Sequence, residues 1–121
     1  RDQNRRVLRL GEIYLIRAEA ANESNDTTEA KVYLNAIRNR AGLPSIDAIS
    51  KESMRAKIWK ERHVELAMEE DRFFDMVRQG NAGSILRGLG KPFVDGKNEV
   101  FPIPDKQITL SGGKLTQNPN Y

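Results

Sequence analysis

The sequence predicts an all-α fold, in which a helical hairpin and a long third helix precede an irregular, loop-rich C-terminal tail. Apolar residues recur at helical spacing in three segments, at about 7–22, 28–41 and 51–79. Residues 81–121 contain six of the nine glycines and four of the five prolines, which favours irregular structure there. At 121 residues, the chain is the size of a single domain or a fragment of a larger protein.

The first helix is predicted from a stripe that places Val7, Gly11, Tyr14, Ala18 and Ala21 on one side. A glycine inside a helix costs about 1 kcal/mol relative to alanine. Gly11 therefore predicts a close approach by another helix.

The second helix has sequence signals at both ends. Asp26, followed three residues later by Glu29, resembles a capping box. Gly42 suits the position just after a helix, and Pro44 prevents its continuation. The short polar turn before Asp26 makes the first two helices an antiparallel hairpin.

The third helix is predicted to begin after Ser50 and to reach Gln79, a length of roughly 40 Å. Over this span Trp59, Leu66, Phe73 and Val77 fall within one narrow sector, so the helix is expected to be largely enclosed.

Acidic and basic residues follow another side of the same helix. Glu61, Glu65 and Glu69 repeat every four residues and would repel one another on an isolated helix. Arginines must neutralise them, and Arg62 and Arg72 are available on the same helix. The pattern predicts a structural ionic seam.

The tail contains two local signals. Val100–Pro104 is predicted to be extended, because each proline disfavours helix in the residue before it. One short turn is expected near residues 84–89, and Asp105 is expected to cap another at 106–109.

Composition excludes several classes of function. The chain has no cysteine, which excludes disulfides, thiolate metal sites and cysteine nucleophiles. Twenty basic and 17 acidic residues alternate along the chain, so no clustered basic face for nucleic acid is predicted. The chain begins at Arg1 without a signal peptide and is interpreted as a processed or cloned segment.

No catalytic or metal constellation is predicted. His63 and Glu65 match the H-x-E part of zinc deaminases, but the cysteines of that site are absent, and His63 is the only histidine. Gly83 and Gly88 have phosphate-loop spacing, but Leu89 stands where lysine is required. We therefore predict no enzyme activity and no cofactor. Trp59, the single tryptophan, is the one candidate for stacking on a sugar, and it fits a core position as well.

Two helical blocks resemble a tetratricopeptide repeat, namely Leu10-Gly11-x-x-Tyr14 and Ala30-x-x-x-Leu34. The whole chain resembles the C-terminal part of the SusD/RagB family. The matching blocks are residues 9–20, 33–43, 61–78, 101–104 (Phe-Pro-Ile-Pro) and 117–121 (Gln-Asn-Pro-Asn-Tyr). The family usually has glycine where Asp71 and Asn120 stand, and asparagine tolerates left-handed backbone well.

The resemblance implies a tetratricopeptide-like scaffold in a nutrient-binding lipoprotein. Such proteins sit on the extracellular face of the outer membrane of Bacteroidetes, lipid-anchored through an N-terminal region that this chain lacks. They capture glycans, or in some members peptides, and pass them to a SusC-type TonB-dependent transporter.

The matched residues would then be structural. The implied ionic seam consists of Glu61, Arg62, Glu65, Glu69, Arg72, Asp75 and Arg78, with Arg38 and Arg40 as partners from the second helix.

The alternative is a helical-repeat module that only binds a protein partner. The glycine-rich loop and the Phe-Pro-Ile-Pro segment distinguish the two interpretations, since a plain repeat array would continue with another helical pair.

Overall fold

The computed structural model describes residues 7–47 and 50–121. All regular structure in these ranges is helical, which confirms the predicted fold class. The helices are α1 (Leu10–Glu23), α2 (Thr27–Arg40), α3 (Lys51–Glu65), α4 (Arg72–Arg78), α5 (Ala82–Gly88) and α6 (Asp105–Leu110). The chain divides into two compact units, the first ending at Glu70 and the second running from Asp71 to Tyr121.

The hairpin of α1 and α2 has the predicted turn chemistry. α1 begins at Leu10, three residues later than predicted. After α1, Asn25 takes a left-handed φ of 66°, and the Asp26 amide donates back to the Ala21 carbonyl at 2.8 Å. The Asp26 carboxylate accepts from the Glu29 amide at 2.8 Å, which confirms its role as the N-cap of α2.

The end of α2 is also as predicted. Gly42 has a left-handed φ of 72°, and its amide donates to Asn39 at 3.0 Å while the Leu43 amide donates to Arg38 at 2.9 Å. These two bonds form a Schellman motif, which satisfies carbonyls that the helix leaves free.

The core of the first unit is small and aliphatic, and all three helices contribute to it. Tyr14 and Tyr33 pack edge to face beside it, with ring centroids 5.4 Å apart. The buried residues are Leu15, Ala18 and Ala21 from α1, Ala30, Leu34 and Ile37 from α2, and Met54 and Ile58 from α3.

The third helix is shorter than predicted. α3 ends at Glu65, and the predicted continuous helix over 51–79 is wrong, because residues 66–71 form turns before α4 begins at Arg72. The predicted apolar sector is therefore interrupted: Trp59 lies in α3, whereas Phe73 and Val77 pack against the core cluster of the second unit.

The break in the third helix coincides with a contact from a distant part of the chain. The Arg9 guanidinium donates to the Glu65 carbonyl, which is one of the carbonyls that would otherwise bond to the next helical turn. Met68 and Glu70 both adopt a left-handed φ of 70°, at a cost of about 1 kcal/mol each for residues with a Cβ. Asp71, at the position where the resemblance leads us to expect glycine, is right-handed at φ −83°.

The second unit has its own small core of Met76, Ala82 and Phe93. Its α5 lies in the region predicted to be irregular, so Gly83 and Gly88 are helical residues and do not form a flexible loop. The predicted turn at residues 84–89 corresponds to part of this helix.

Side chains near the C-terminus hold the extended segment. Gln117 accepts from the Ile103 amide and donates to the Ile103 carbonyl, both at 2.8 Å. Asn118 donates to the Phe101 carbonyl at 2.6 Å, and the Tyr121 hydroxyl donates to the Val100 carbonyl at 2.9 Å. Asn120 has a left-handed φ of 68°, as the resemblance suggested.

Candidate functional site

The densest group of charged contacts lies where α3 ends. Arg9 pairs with Glu65 at 2.5 Å (Nη1–Oε1) and with Glu69 at 2.8 Å (Nε–Oε2). Arg40 of α2 donates to the same Glu65 carboxylate at 2.7 Å. We call Arg9, Arg40, Glu65 and Glu69 the Arg9 cluster. Glu65, with 10% of its side chain exposed, is the shared anion.

The electrostatics of the Arg9 cluster favour fixed charges. Hydrogen bonds to Glu69 and Glu65 raise the pKa of Arg9 above its ordinary value. The bond from Arg9 lowers the pKa of the Glu69 carboxyl. Both groups are therefore charged at neutral pH, and neither is suited to proton transfer.

Gly11 makes room for the Arg9 cluster. A Cβ at this position would lie 2.6 Å from Nη1 of Arg9 and 2.8 Å from Oε1 of Glu65. The close approach that Gly11 predicted is thus made by an ion pair, one partner of which belongs to α3.

Two further ion pairs link α3 to the hairpin. Arg38 of α2 donates to Glu61 at 2.6 Å, with 17% and 9% of the two side chains exposed. Arg62 donates to Glu12 of α1 at 3.2 Å, and both residues are buried. Removing Arg38 would leave Glu61 as an uncompensated buried charge.

A matching group of contacts lies at the other end of α3. Lys51 donates to the Glu23 carbonyl at 2.6 Å, at the C-terminal end of α1. Arg55 donates to both carboxylate oxygens of Glu23 at 2.6 Å, and the fully buried Asn22 donates to the Lys51 carbonyl at 3.0 Å. We call Asn22, Glu23, Lys51 and Arg55 the Lys51 cluster.

The two clusters show that α1 and α3 run antiparallel and cap each other. Arg9, just before α1, bonds the last carbonyl of α3, and Lys51, at the start of α3, bonds the last carbonyl of α1. Cations at helix C-termini also interact favourably with the helix dipoles. Sequence reasoning missed Arg9, Glu12 and the Lys51 cluster. The repeat of glutamates every four residues from Glu61 to Glu69 was the one signal for an external arginine.

The remaining residues of the predicted seam lie in the second unit. Arg78 pairs with Asp75 at 3.3 Å. Within residues 7–47 and 50–121, no ion pair involves Arg72. The helix break at residues 66–71 places the predicted seam residues on two helices, α3 and α4, and their structural role stays a prediction.

Trp59, the candidate sugar-stacking residue, belongs to α3 and is half-buried on the side that faces α1. Its indole Nε1 donates to Glu19 at 3.0 Å. The bond ties the ring to α1 and uses its one donor. A role for Trp59 in ligand binding stays a prediction. His63 is exposed on α3.

Neither a metal site nor a membrane span is found in the described part of the chain. No group of three or more carboxylates and histidines there could hold a metal ion. None of the helices described has both the length and the apolar character that crossing a membrane requires.

Comparisons with known proteins place this arrangement of helices in a family. A profile of the SusD family matches residues 1–121. Two curated relatives from Formosa agariphila are similar in sequence: SusD-like protein P2 is 30% identical over 94% of this chain, and SusD-like protein P25 is 32% identical over 89%. The chain spans about a quarter of the length of these relatives, 25% and 22%.

Solved structures give the same result. A SusD-like protein from Bacteroides fragilis superposes with a TM-score of 0.79 at 31% identity, covering 94% of this chain and 25% of that one. Surface glycan-binding protein A from Bacteroides thetaiotaomicron superposes with a TM-score of 0.78 at 34% identity, covering 96% of this chain and 24% of that one. With its helical hairpin, its broken third helix and a match along its full length, the chain belongs to the SusD family.

Proposed function

We propose that this chain is the helical scaffold of a non-enzymatic nutrient-binding protein of the SusD type. That protein would capture a glycan or oligosaccharide, with a peptide as the other ligand class, at the extracellular face of the outer membrane. It would pass the ligand to a SusC-type TonB-dependent transporter, and a region outside this chain would carry its lipid anchor.

The observation that carries this proposal is the similarity to surface glycan-binding protein A, at 34% identity over 96% of this chain. The contacts within the first unit support the scaffold role. The sequence singles out four charged residues in and just after α3, and they bond to other parts of this chain: Glu61, Arg62, Glu65 and Glu69. The indole nitrogen of Trp59 does the same.

Thermal unfolding in the presence of an oligosaccharide panel tests the scaffold role. A ligand at one hundred times its Kd adds about 2.7 kcal/mol of stability, which is a visible rise in Tm for a chain of this size. If recognition lies outside this chain, no oligosaccharide will shift the Tm. A reproducible shift that disappears in Trp59→Ala would contradict the scaffold role and assign a ligand contact to Trp59.

Co-purification tests the transporter partner. We expect the tagged chain to retain the SusC-type transporter of its own organism from detergent extracts, and to leave behind a TonB-dependent transporter outside the SusC group. Equal recovery of both transporters, or of neither, would contradict this part of the proposal.

The alternative function, a helical-repeat interaction module, is favoured by one feature of α1. Leu10, Ile13 and Ile16 are exposed by 64%, 44% and 45% although they are apolar. If this face binds a protein partner directly, Ile13→Glu will abolish binding of that partner without lowering the Tm of the chain.

A further inference from the structure

The segment between α3 and α4 conflicts with its own sequence. Residues 66–71 read Leu-Ala-Met-Glu-Glu-Asp, and the first five belong to the residue types with high helix propensity. The apolar period before and after them is also continuous, which is why the sequence predicts an unbroken helix. The segment nevertheless forms turns, and Met68 and Glu70 are left-handed.

Such a conflict between local preference and structure marks strained segments, which are often switch regions. Burial does not offset the backbone strain at Met68, because its side chain is 100% exposed. The conformation of the segment must therefore be held by contacts from elsewhere in the chain.

Arg9 supplies these contacts. Its guanidinium bonds the Glu65 carbonyl at the end of α3, and its Nε bonds both carboxylate oxygens of Glu69, at 2.9 and 2.8 Å. The Arg9 side chain thus occupies the Glu65 carbonyl, which would accept a helical hydrogen bond if α3 continued. It also holds Glu69 in a position that Glu69 would leave if the helix were extended. Arg9 lies 60 residues away from Glu69, so the restraint is independent of the local sequence.

We propose that residues 66–71 form a two-state latch controlled by Arg9. With Arg9 bound, α3 ends at Glu65 and the segment is non-helical. With Arg9 released, the segment continues α3 as helix and the left-handed strain at Met68 and Glu70 is relieved.

Hydrogen exchange of Arg9→Gln tests the latch directly. Gln keeps a polar side chain but removes the charge and the forked donors that reach Glu65 and Glu69 together. We expect the amides of residues 67–71 to exchange about tenfold more slowly in Arg9→Gln, because they gain helical hydrogen bonds.

The matched control is Arg17→Gln within α1, whose ion pair with Glu29 lies away from the segment. This variant should leave exchange at 67–71 unchanged. Faster exchange at 67–71 in Arg9→Gln would overturn the proposal, because Arg9 would then only stabilise a turn.

Glycine variants separate release of the latch from unfolding. In the Arg9→Gln background, Met68→Gly with Glu70→Gly lowers the cost of the turn and disfavours the helix, so exchange at 67–71 should return to the wild-type rate. An unchanged slow rate in the triple variant would contradict the two-state description.

Salt provides a test that needs no variant, for the case in which Arg9→Gln does not fold. The side chains of Arg9 and Glu69 are 24% and 39% exposed, so about 1 M NaCl should screen their attraction. We expect slower exchange at 67–71 in high salt in the wild-type chain, and unchanged or faster exchange would count against the latch.

Discussion

Gly11 lies in the first turn of α1, where a methyl group would compete for space with Arg9 and Glu65. We predict that Gly11→Ala lowers the free energy of unfolding by about 1 kcal/mol. The lost charge-assisted hydrogen bonds, worth about 1.5–3 kcal/mol, outweigh the gain of about 1 kcal/mol in helix propensity. Urea unfolding measures the difference. The control is Gly88→Ala in α5, where a Cβ meets no atom within 4 Å and alanine should stabilise. Equal stabilisation by both substitutions would show that the contacts of Arg9 and Glu65 do not require the missing side chain at Gly11.

At Met68 the energetic cost of a left-handed backbone can be measured with little contribution from side-chain packing, because the side chain is fully exposed. We predict that Met68→Gly raises the free energy of unfolding by about 0.5–1 kcal/mol, because relief of the backbone strain exceeds the added entropy of the unfolded chain. Val64→Gly is the control: Val64 is 64% exposed and lies within α3, so glycine should destabilise there. If Met68→Gly also destabilises, the left-handed conformation of Met68 does not persist in solution.

At the scale of the helices, the pair between Arg38 and Glu61 joins α2 to α3 with little solvent access. We predict that Arg38→Ala lowers the free energy of unfolding by about 3 kcal/mol, since Glu61 would remain buried and unpaired. The control is Arg17→Ala, which removes an arginine whose side chain is 55% exposed and should leave the Tm nearly unchanged. Recovery of stability in Arg38→Ala with Glu61→Leu would confirm that the buried charge is the cause.

The junction of α1 and α3 gives the chain a specific pH dependence. The bond from Arg55 lowers the pKa of Glu23 from 4.5 to about 2. A carboxyl whose folded pKa is depressed stabilises the fold above its unfolded pKa, and this contribution is lost as the pH falls through the folded value. We expect the Tm difference between wild type and Glu23→Gln to be present at pH 7 and to shrink between about pH 4.5 and 2. The effect is small, because the Glu23 side chain is 42% exposed. A Tm difference that grows towards low pH would contradict this prediction.

The helices differ in how far the sequence alone predicts them. α1 and α2 follow their apolar periods, and the caps at Asp26 and Gly42 are local signals that a reader of the sequence can find. The end of α3 depends on Arg9, which is 56 residues away from Glu65, and no pattern within residues 60–80 contains that information. The carboxylates of α3 indicated that arginines were needed. Arg38 and Arg40 were predicted among them, whereas Arg9 was not.

At the scale of the whole chain, the two compact units should lose protection separately. In the second unit, Gln117 makes both bonds to the Ile103 backbone. We predict that Gln117→Ala speeds hydrogen exchange over residues 71–121 and leaves residues 10–65 unchanged, because the bonds it removes lie within one unit. Ser84→Ala, at an exposed position in α5, is the control and should alter neither unit. Uniform acceleration along the chain would mean that the units unfold together.

The reciprocal capping of α1 and α3 has a consequence for the order in which the chain folds. The α1–α2 hairpin is local in sequence. The last carbonyl of α1, however, accepts its hydrogen bond from Lys51, which lies at the start of α3. During synthesis, the hairpin therefore emerges from the ribosome incomplete and matures once α3 has followed it. Substitutions at Lys51 or Arg9 should accordingly speed unfolding more than they slow folding, the signature of contacts made after the transition state.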